Sequence, residues 1–177
     1  MTRNKGSNAQ DNDKKENKMT EKEINYTELD ELSAIKASKG KILSVDFGDV
    51  RTGLAVSDAS RLLASGIGYI SVGGIEKTAE AIAESAKENG AVAVIVGLPV
   101  NMDGSQGSRA ERCKKLARLV KEASGLLVST FDERMTTMTA ARYLNETNTR
   151  GKKRKGVIDT LSAQIILQNC LDRLKNL

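Results

Sequence analysis

The chain has 177 residues, enough for one domain with a real core, and a formal charge of +5, with 39% apolar and only 3% aromatic residues. It contains no run of 18 apolar residues that would cross a membrane, and its first 23 residues lack the apolar stretch of a secretory signal, so a cytoplasmic protein is expected. It has no histidine, which excludes Ser-His-Asp and Cys-His catalysis and most zinc sites.

Residues 1–23 are polar, charged and aperiodic and read as a disordered tail. "INYTELDELSAIKA" (24–37) has apolar residues at roughly helical spacing and reads as a weak helix; together these segments form an N-terminal extension over 1–40, ahead of a folded domain over 41–177. "KILSVDF" and "TGLAVSD" read as strands joined at Gly48-Asp49 in an antiparallel hairpin. "ASGIGYISV" (64–72) is a third strand, and "IEKTAEAIAESAKENG" (75–90) is a helix stopped by Gly90. The continuous apolar run "AVAVIVGLP" (91–99) fits a strand buried on both faces. Ser108 and Glu111 have capping-box spacing and open a helix to about Ser124. "GLLVSTFDE" is the last strand. A short helix over 136–146, which Thr136 or Thr137 can cap, and a longer one over 156–174 complete the chain. An antiparallel meander followed by strand–helix alternation favours parallel additions to the same sheet.

Without histidine, any hydrolytic chemistry must rest on carboxylates, lysines, hydroxyls or a bound metal. Asp46 stands at the end of the first strand, where an ionised carboxylate beside a packed sheet needs compensation. It reads either as a turn residue before Gly48 or as a metal ligand. Asp132 and Glu133 end the last strand, and in open α/β sheets sites form at the carboxyl ends of strands. They read as part of such a site or as an exposed Asp132–Arg134 pair. Asp159 is expected in the first turn of the final helix, where an acid is favourable by itself. Just before it, "RGKKRK" (Arg150–Lys155) packs five cations into six residues. The first 40 residues hold eight basic and eight acidic side chains, so the whole positive excess lies in the remainder. A basic patch at a helix start suggests phosphate and nucleic acid; the plain alternative is a solvated loop. Three carboxylates with a basic flank suit metal-assisted phosphodiester hydrolysis, with Mg²⁺ or Mn²⁺ on oxygen ligands. Cys113 and Cys170 are 57 positions apart and read as buried reduced thiols.

Four stretches in order, "VDFGDVRTGLAVSD", "VGLPVNMDGSQGSRA", "FDERMTT" and "RKGVIDTLSAQIIL", resemble the YqgF/RuvX family over about residues 41–174. Its members are RNase H-like proteins described as Holliday-junction resolvase-like and as pre-16S ribosomal RNA nucleases. The resemblance implies an α/β, RNase H-like fold: a mixed five-stranded sheet, three antiparallel strands then parallel additions, flanked by helices. It implies a metal-dependent endonuclease that processes the 5′ end of pre-16S rRNA, with Asp46, Glu133 and Asp159 as catalytic metal ligands. Asn101 and Gly104 would shape the rim. Arg51, Asn101, Arg134, Lys152, Lys153, Arg154 and Lys155 are the nucleic-acid-binding candidates. The family's first motif reads closer to D-x-G-T-K-R; here Asp49 and Val50 replace Thr and Lys. The cation of that pattern, and the phosphate contact it implies, is lost here, and Asp49 reads as a turn former or an auxiliary ligand. Three other readings stay open: a Holliday-junction-type DNA resolvase, a non-catalytic RNA-binding assembly factor, and an actin-like ATPase or sugar kinase. The last is disfavoured because such proteins need two domains of this kind. With so few aromatics, recognition is expected through shape and phosphate.

Overall fold

The computed structural model describes residues 28–135 and 152–177. The expected tail over 1–23, the expected helix over 136–146 with its Thr136 or Thr137 cap, and Arg150 lie outside them. In chain order the elements are α1 (Glu28–Ala37), β1 (Lys41–Phe47), β2 (Thr52–Ser57), β3 (Ala64–Ile70), α2 (Ile75–Glu88), β4 (Ala91–Leu98), α3 (Ser108–Ser124), β5 (Leu127–Asp132), a single 3-10 turn (Glu133–Met135) and α4 (Lys152–Asn176). The five strands form one sheet in the order β3-β2-β1-β4-β5. β1–β2 and β2–β3 are antiparallel, while β4 and β5 add parallel to β1. This is the α/β, RNase H-like arrangement that the element order and the resemblance led to.

Alternation along the strands divides the core in two. Leu43, Val45, Phe47 and Leu54 face α2 and α3, with Ile82, Leu116 and Val120 among their partners. Ile42, Ala55, Ile95 and Phe131 face α1 and α4, against Ile166, Leu167 and Leu171. β4 is buried along nearly its whole length, as its unbroken apolar run requires. Gly90 follows α2 in the left-handed region, φ +66°, and Gly125 ends α3 likewise at +67°, the usual exits of a helix.

Three local expectations change. The core, expected to begin at Lys41, takes in Leu32 and Ile35 of α1, both fully buried; each contributes about 1.5–3 kcal/mol of burial. Arg61 ties α1 down, donating to the carbonyls of Ile35 and Gly40 at 2.7 and 2.6 Å. The capping box does not form: Gly107 is the N-cap of α3 with no side-chain cap, and Glu111 pairs with Lys114 at 3.0 Å. Finally, α4 begins at Lys152, so Asp159 lies two turns inside it rather than in its first turn. The favourable helix-end position that would account for an acid there is absent. No helix among the described residues is long and apolar enough to cross a membrane.

Candidate active site

The site is a row across the sheet. Gly53 of β2 lies directly opposite Asp46 of β1. On the other side Val45 pairs with Val96, which brings Gly97 of β4 next to Asp46. Asp46 therefore stands between two glycines, each one strand spacing of about 4.8 Å away. Both lack a side chain for a visible reason. A Cβ on Gly97 would overlap Glu133 Oε1 and come 2.8 Å from Ile166 Cδ1. A Cβ on Gly53 would overlap the Asp159 carbonyl. One glycine thus makes room for the Glu133 carboxylate, and the other lets α4 lie close enough to deliver Asp159. Ser44, buried on the same face of β1, donates to the Ala163 carbonyl at 2.7 Å and ties α4 to the central strand.

The electrostatics follow from this crowding. Asp46 is raised from its ordinary value, chiefly by burial; Arg109 opposes the shift, Asp159 adds to it, and a hydrogen bond with Ser162 opposes it. Glu133 is pushed up to about 7, again by burial first, then by the charge of Asp46, with Arg109 opposing and Asp132 adding. Buried acids that repel one another bind protons more tightly unless a cation compensates. Cys113, buried nearby, has its thiol pushed up to about 11 by burial and by the charges of Glu133 and Asp46; it is an unreactive thiol at neutral pH.

A stability prediction follows. Between about pH 4.5 and 7 folded Glu133 keeps a proton that the unfolded chain has released. The folded state then binds more protons, so stability falls as pH rises through this window. The melting temperature of the metal-free protein should drop across it, and Glu133→Gln should flatten the drop. An equally steep drop in Glu133→Gln would show that another group causes it.

The other sequence candidates sort clearly. Asp49 is 73% exposed at the hairpin tip and pairs with Arg112 at 2.6 Å, 63 residues away; it joins the hairpin to α3. Asp132 accepts the fork of Arg134, with Nη2–Oδ2 at 2.6 Å and Nε–Oδ2 at 2.9 Å, so much of the Arg134 charge is already matched. Arg51 Nη1 lies 4.0 Å from Asp159 Oδ2, at the open side of the row. Asn101 is exposed and its amide donates to Ser105 Oγ at 2.9 Å, locking the loop after β4. A Cβ on Gly104 would lie 4.0 Å from Arg134 Nη1, which places that loop beside the 3-10 turn carrying Glu133. Lys152, Lys153, Arg154 and Lys155 form the first turn of α4. Among the described residues no three histidine, cysteine or carboxylate side chains stand close enough together to hold a metal ion by themselves. Asp46 is the acid whose charge environment includes both of the others.

Sequence reading missed Arg109, Ser162, Gly53 and Gly97. All four lie inside the motif stretches, but no spacing rule marks an arginine at the start of α3 as the cation shared by two acids of other elements. The glycines read as ordinary strand residues until the register is known.

A mixed sheet of this order, with acids at the carboxyl ends of its first and last strands and a third on the final helix, defines the RNase H-like class. The family described as "RuvX: Holliday junction resolvase" matches residues 40–173. The chain belongs to this family. A relative from Ruminiclostridium cellulolyticum named "Putative pre-16S rRNA nuclease" is 36% identical over 135 residues, 76% of this chain and 95% of that one. One of the same name from Caldanaerobacter subterraneus subsp. tengcongensis is 41% identical over 138 residues, 77% and 99% of the two chains. The structure of Thermus thermophilus RuvC with a Holliday junction substrate superposes with a TM-score of 0.50 at 12% identity, covering 77% of this chain and 96% of that one. At that identity it speaks for the fold alone.

Proposed function

We propose that the protein is a metal-dependent endonuclease that cleaves phosphodiester bonds in structured RNA, in maturation of the 5′ end of pre-16S rRNA. The observation that carries this reading is the acid row: Glu133 is pushed up to about 7 beside Asp46, with Asp159 delivered from α4 across Gly53. Such a donor set is all oxygen, which fits Mg²⁺ or Mn²⁺. Asp46 and Glu133 would hold the ion, with Asp159 on the far side of Asp46. A bound divalent ion would lower the pKa of water and stabilise charge on the leaving oxygen. Family membership and the relatives' names support rRNA as substrate. Two buried cysteines, neither in a disulfide, are in keeping with the cytoplasm.

The remaining residues act around that centre. Arg109 partly balances Asp46 and Glu133 in the absence of a divalent ion and would face the substrate's phosphate once one is bound. Arg51 and the first turn of α4 would take flanking phosphates. The cations of Lys152–Lys155 sit at the helix end whose dipole disfavours them, which a polyanionic partner would offset. Replacing all four by Ala should weaken binding to every sequence alike and flatten the log K against log[salt] slope by about 0.7–0.9 for each phosphate no longer neutralised. An unchanged slope would leave them a solvated helix turn. The function itself is tested with labelled precursor rRNA and a DNA four-way junction, each in Mg²⁺, Mn²⁺ or EDTA. Metal-dependent cleavage of the rRNA is expected. Preference for the junction would make the protein a DNA resolvase. RNA binding that survives EDTA with no cleavage would make it an assembly factor.

A further inference from the structure

The acid row continues one strand further. Gly53, opposite Asp46, pairs on its other side with Tyr69 of the edge strand β3. Residues directly opposite in antiparallel strands share a face, so Tyr69 lies on the face of Asp46, two strand spacings or about 10 Å away.

It is there because β3 carries one extra residue. Ala55 pairs with Gly66 but Leu54 pairs with Gly68, leaving Ile67 unmatched, and Gly68 takes φ +115°. Without the bulge, Tyr69 would pair with Thr52 and point to the opposite face. Bulges of this kind re-aim side chains beside active sites. This one also interrupts the ladder at the sheet edge, which disfavours pairing with a further strand.

Tyr69 is 47% exposed, and its hydroxyl makes no hydrogen bond among the described residues. Arg51, whose Nη1 is 4.0 Å from Asp159 Oδ2, places its guanidinium 5.0 Å from the ring centroid. The ring is thus braced on one side by a cation that also borders the acids.

We infer that Tyr69, braced by Arg51, is a stacking subsite for an unpaired nucleobase next to the scissile phosphate. This rests on the nuclease reading above and adds a requirement to it. Cleavage should need a nucleotide free to leave its helix at one fixed position, as in a loop, bulge or single-stranded junction. About 10 Å across two strands is comparable with the reach from a phosphate at Asp46 to the base of an adjoining nucleotide. Stacking of this kind tolerates any base, because each has a π-face.

The test uses RNA oligonucleotides spanning the cleaved site, with 2-aminopurine placed at each position in turn. Bound to an Asp46→Asn chain, which holds cleavage back, the fluorophore should be quenched strongly at one position. Adding Tyr69→Leu should remove that quench, while adding Tyr69→Phe should keep it. In the chain with intact acids, Tyr69→Leu should lower kcat/KM about tenfold. A substrate with an abasic nucleotide at the quenched position should lose the same factor with the unaltered protein, an arm that no folding defect can affect. Quenching that ignores Tyr69→Leu, or an abasic substrate cut at full speed, would overturn the subsite and leave the nuclease reading standing. Position-specific, Tyr69-dependent quenching in a protein that cleaves nothing in Mg²⁺ or Mn²⁺ would do the reverse, sustaining the subsite and ending the nuclease reading.

Discussion

Asp46→Asn should reduce turnover in Mg²⁺ by on the order of a hundredfold or more, the scale of losing one key electrostatic interaction in a reaction centre. The substitution keeps the shape of the side chain and removes its charge. Glu133→Gln and Asp159→Asn should each have effects of that order. Combined, the losses should fall far short of the product of the single ones, because the acids serve one reaction centre as a unit. The metal-free protein should respond in the opposite sense. Asp46→Asn removes a buried charge that raises Glu133, so repulsion is relieved and the melting temperature in EDTA should rise. Added Mg²⁺ should stabilise the parent more than the variant. Asp132→Asn should be much milder, since that carboxylate is engaged by Arg134 outside the row. Full-speed cleavage by Asp46→Asn, with no change in metal-dependent melting, would reduce Asp46 to a turn residue and remove the basis of the proposed chemistry.

Gly53→Ala should lower both stability and activity, and more severely than Gly97→Ala lowers stability. The added Cβ at Gly53 would meet backbone, the carbonyl oxygen and carbon of Asp159. No side-chain rotation relieves that overlap, so α4 must move off β2 and carry Asp159 with it. Overpacking of this kind typically costs about 1–3 kcal/mol, and the displaced acid should make the activity loss larger than the stability loss alone explains. At Gly97 the nearest atom is the tip of Glu133, a side chain that can swing aside. Gly97→Ala should therefore spare most of the stability while removing Glu133 from Asp46. Its signature would be a Glu133 carboxyl returning toward its ordinary range, seen as a flatter dependence of melting on pH. Gly73→Ala, with open space around it, is the control. A Gly53→Ala protein that melts and cleaves like the parent would show that α4 does not set the position of Asp159.

Among the described residues the order of strands and helices from β1 onward was legible in the sequence because it rests on local signals: an unbroken apolar run for β4, Gly-Asp between β1 and β2, and glycines after α2 and α3. The acids stood out as candidates as well, since a charged residue at a strand end is locally costly and so conspicuous. Signals that depend on which of two local solutions wins were misread. Ser108 and Glu111 have the right spacing for a capping box, yet Gly107 takes the cap position. The cations before Asp159 looked like a flank, but the helix runs back through them to Lys152.

What only the tertiary structure decided is register. A strand's own alternation says which residues share a face, but not what stands beside them on the next strand. Pairing placed Gly53 and Gly97 on either side of Asp46 and so made room for acids more than 80 residues away. Arg109 became their counter-charge only when α3 packed onto the sheet. The bulge at Ile67 appears only where β3 and β2 disagree by one residue. That single step turns Tyr69 from the face of Thr52 to the face of Asp46, because strand side chains have a period of two and one extra residue reverses every side chain beyond it.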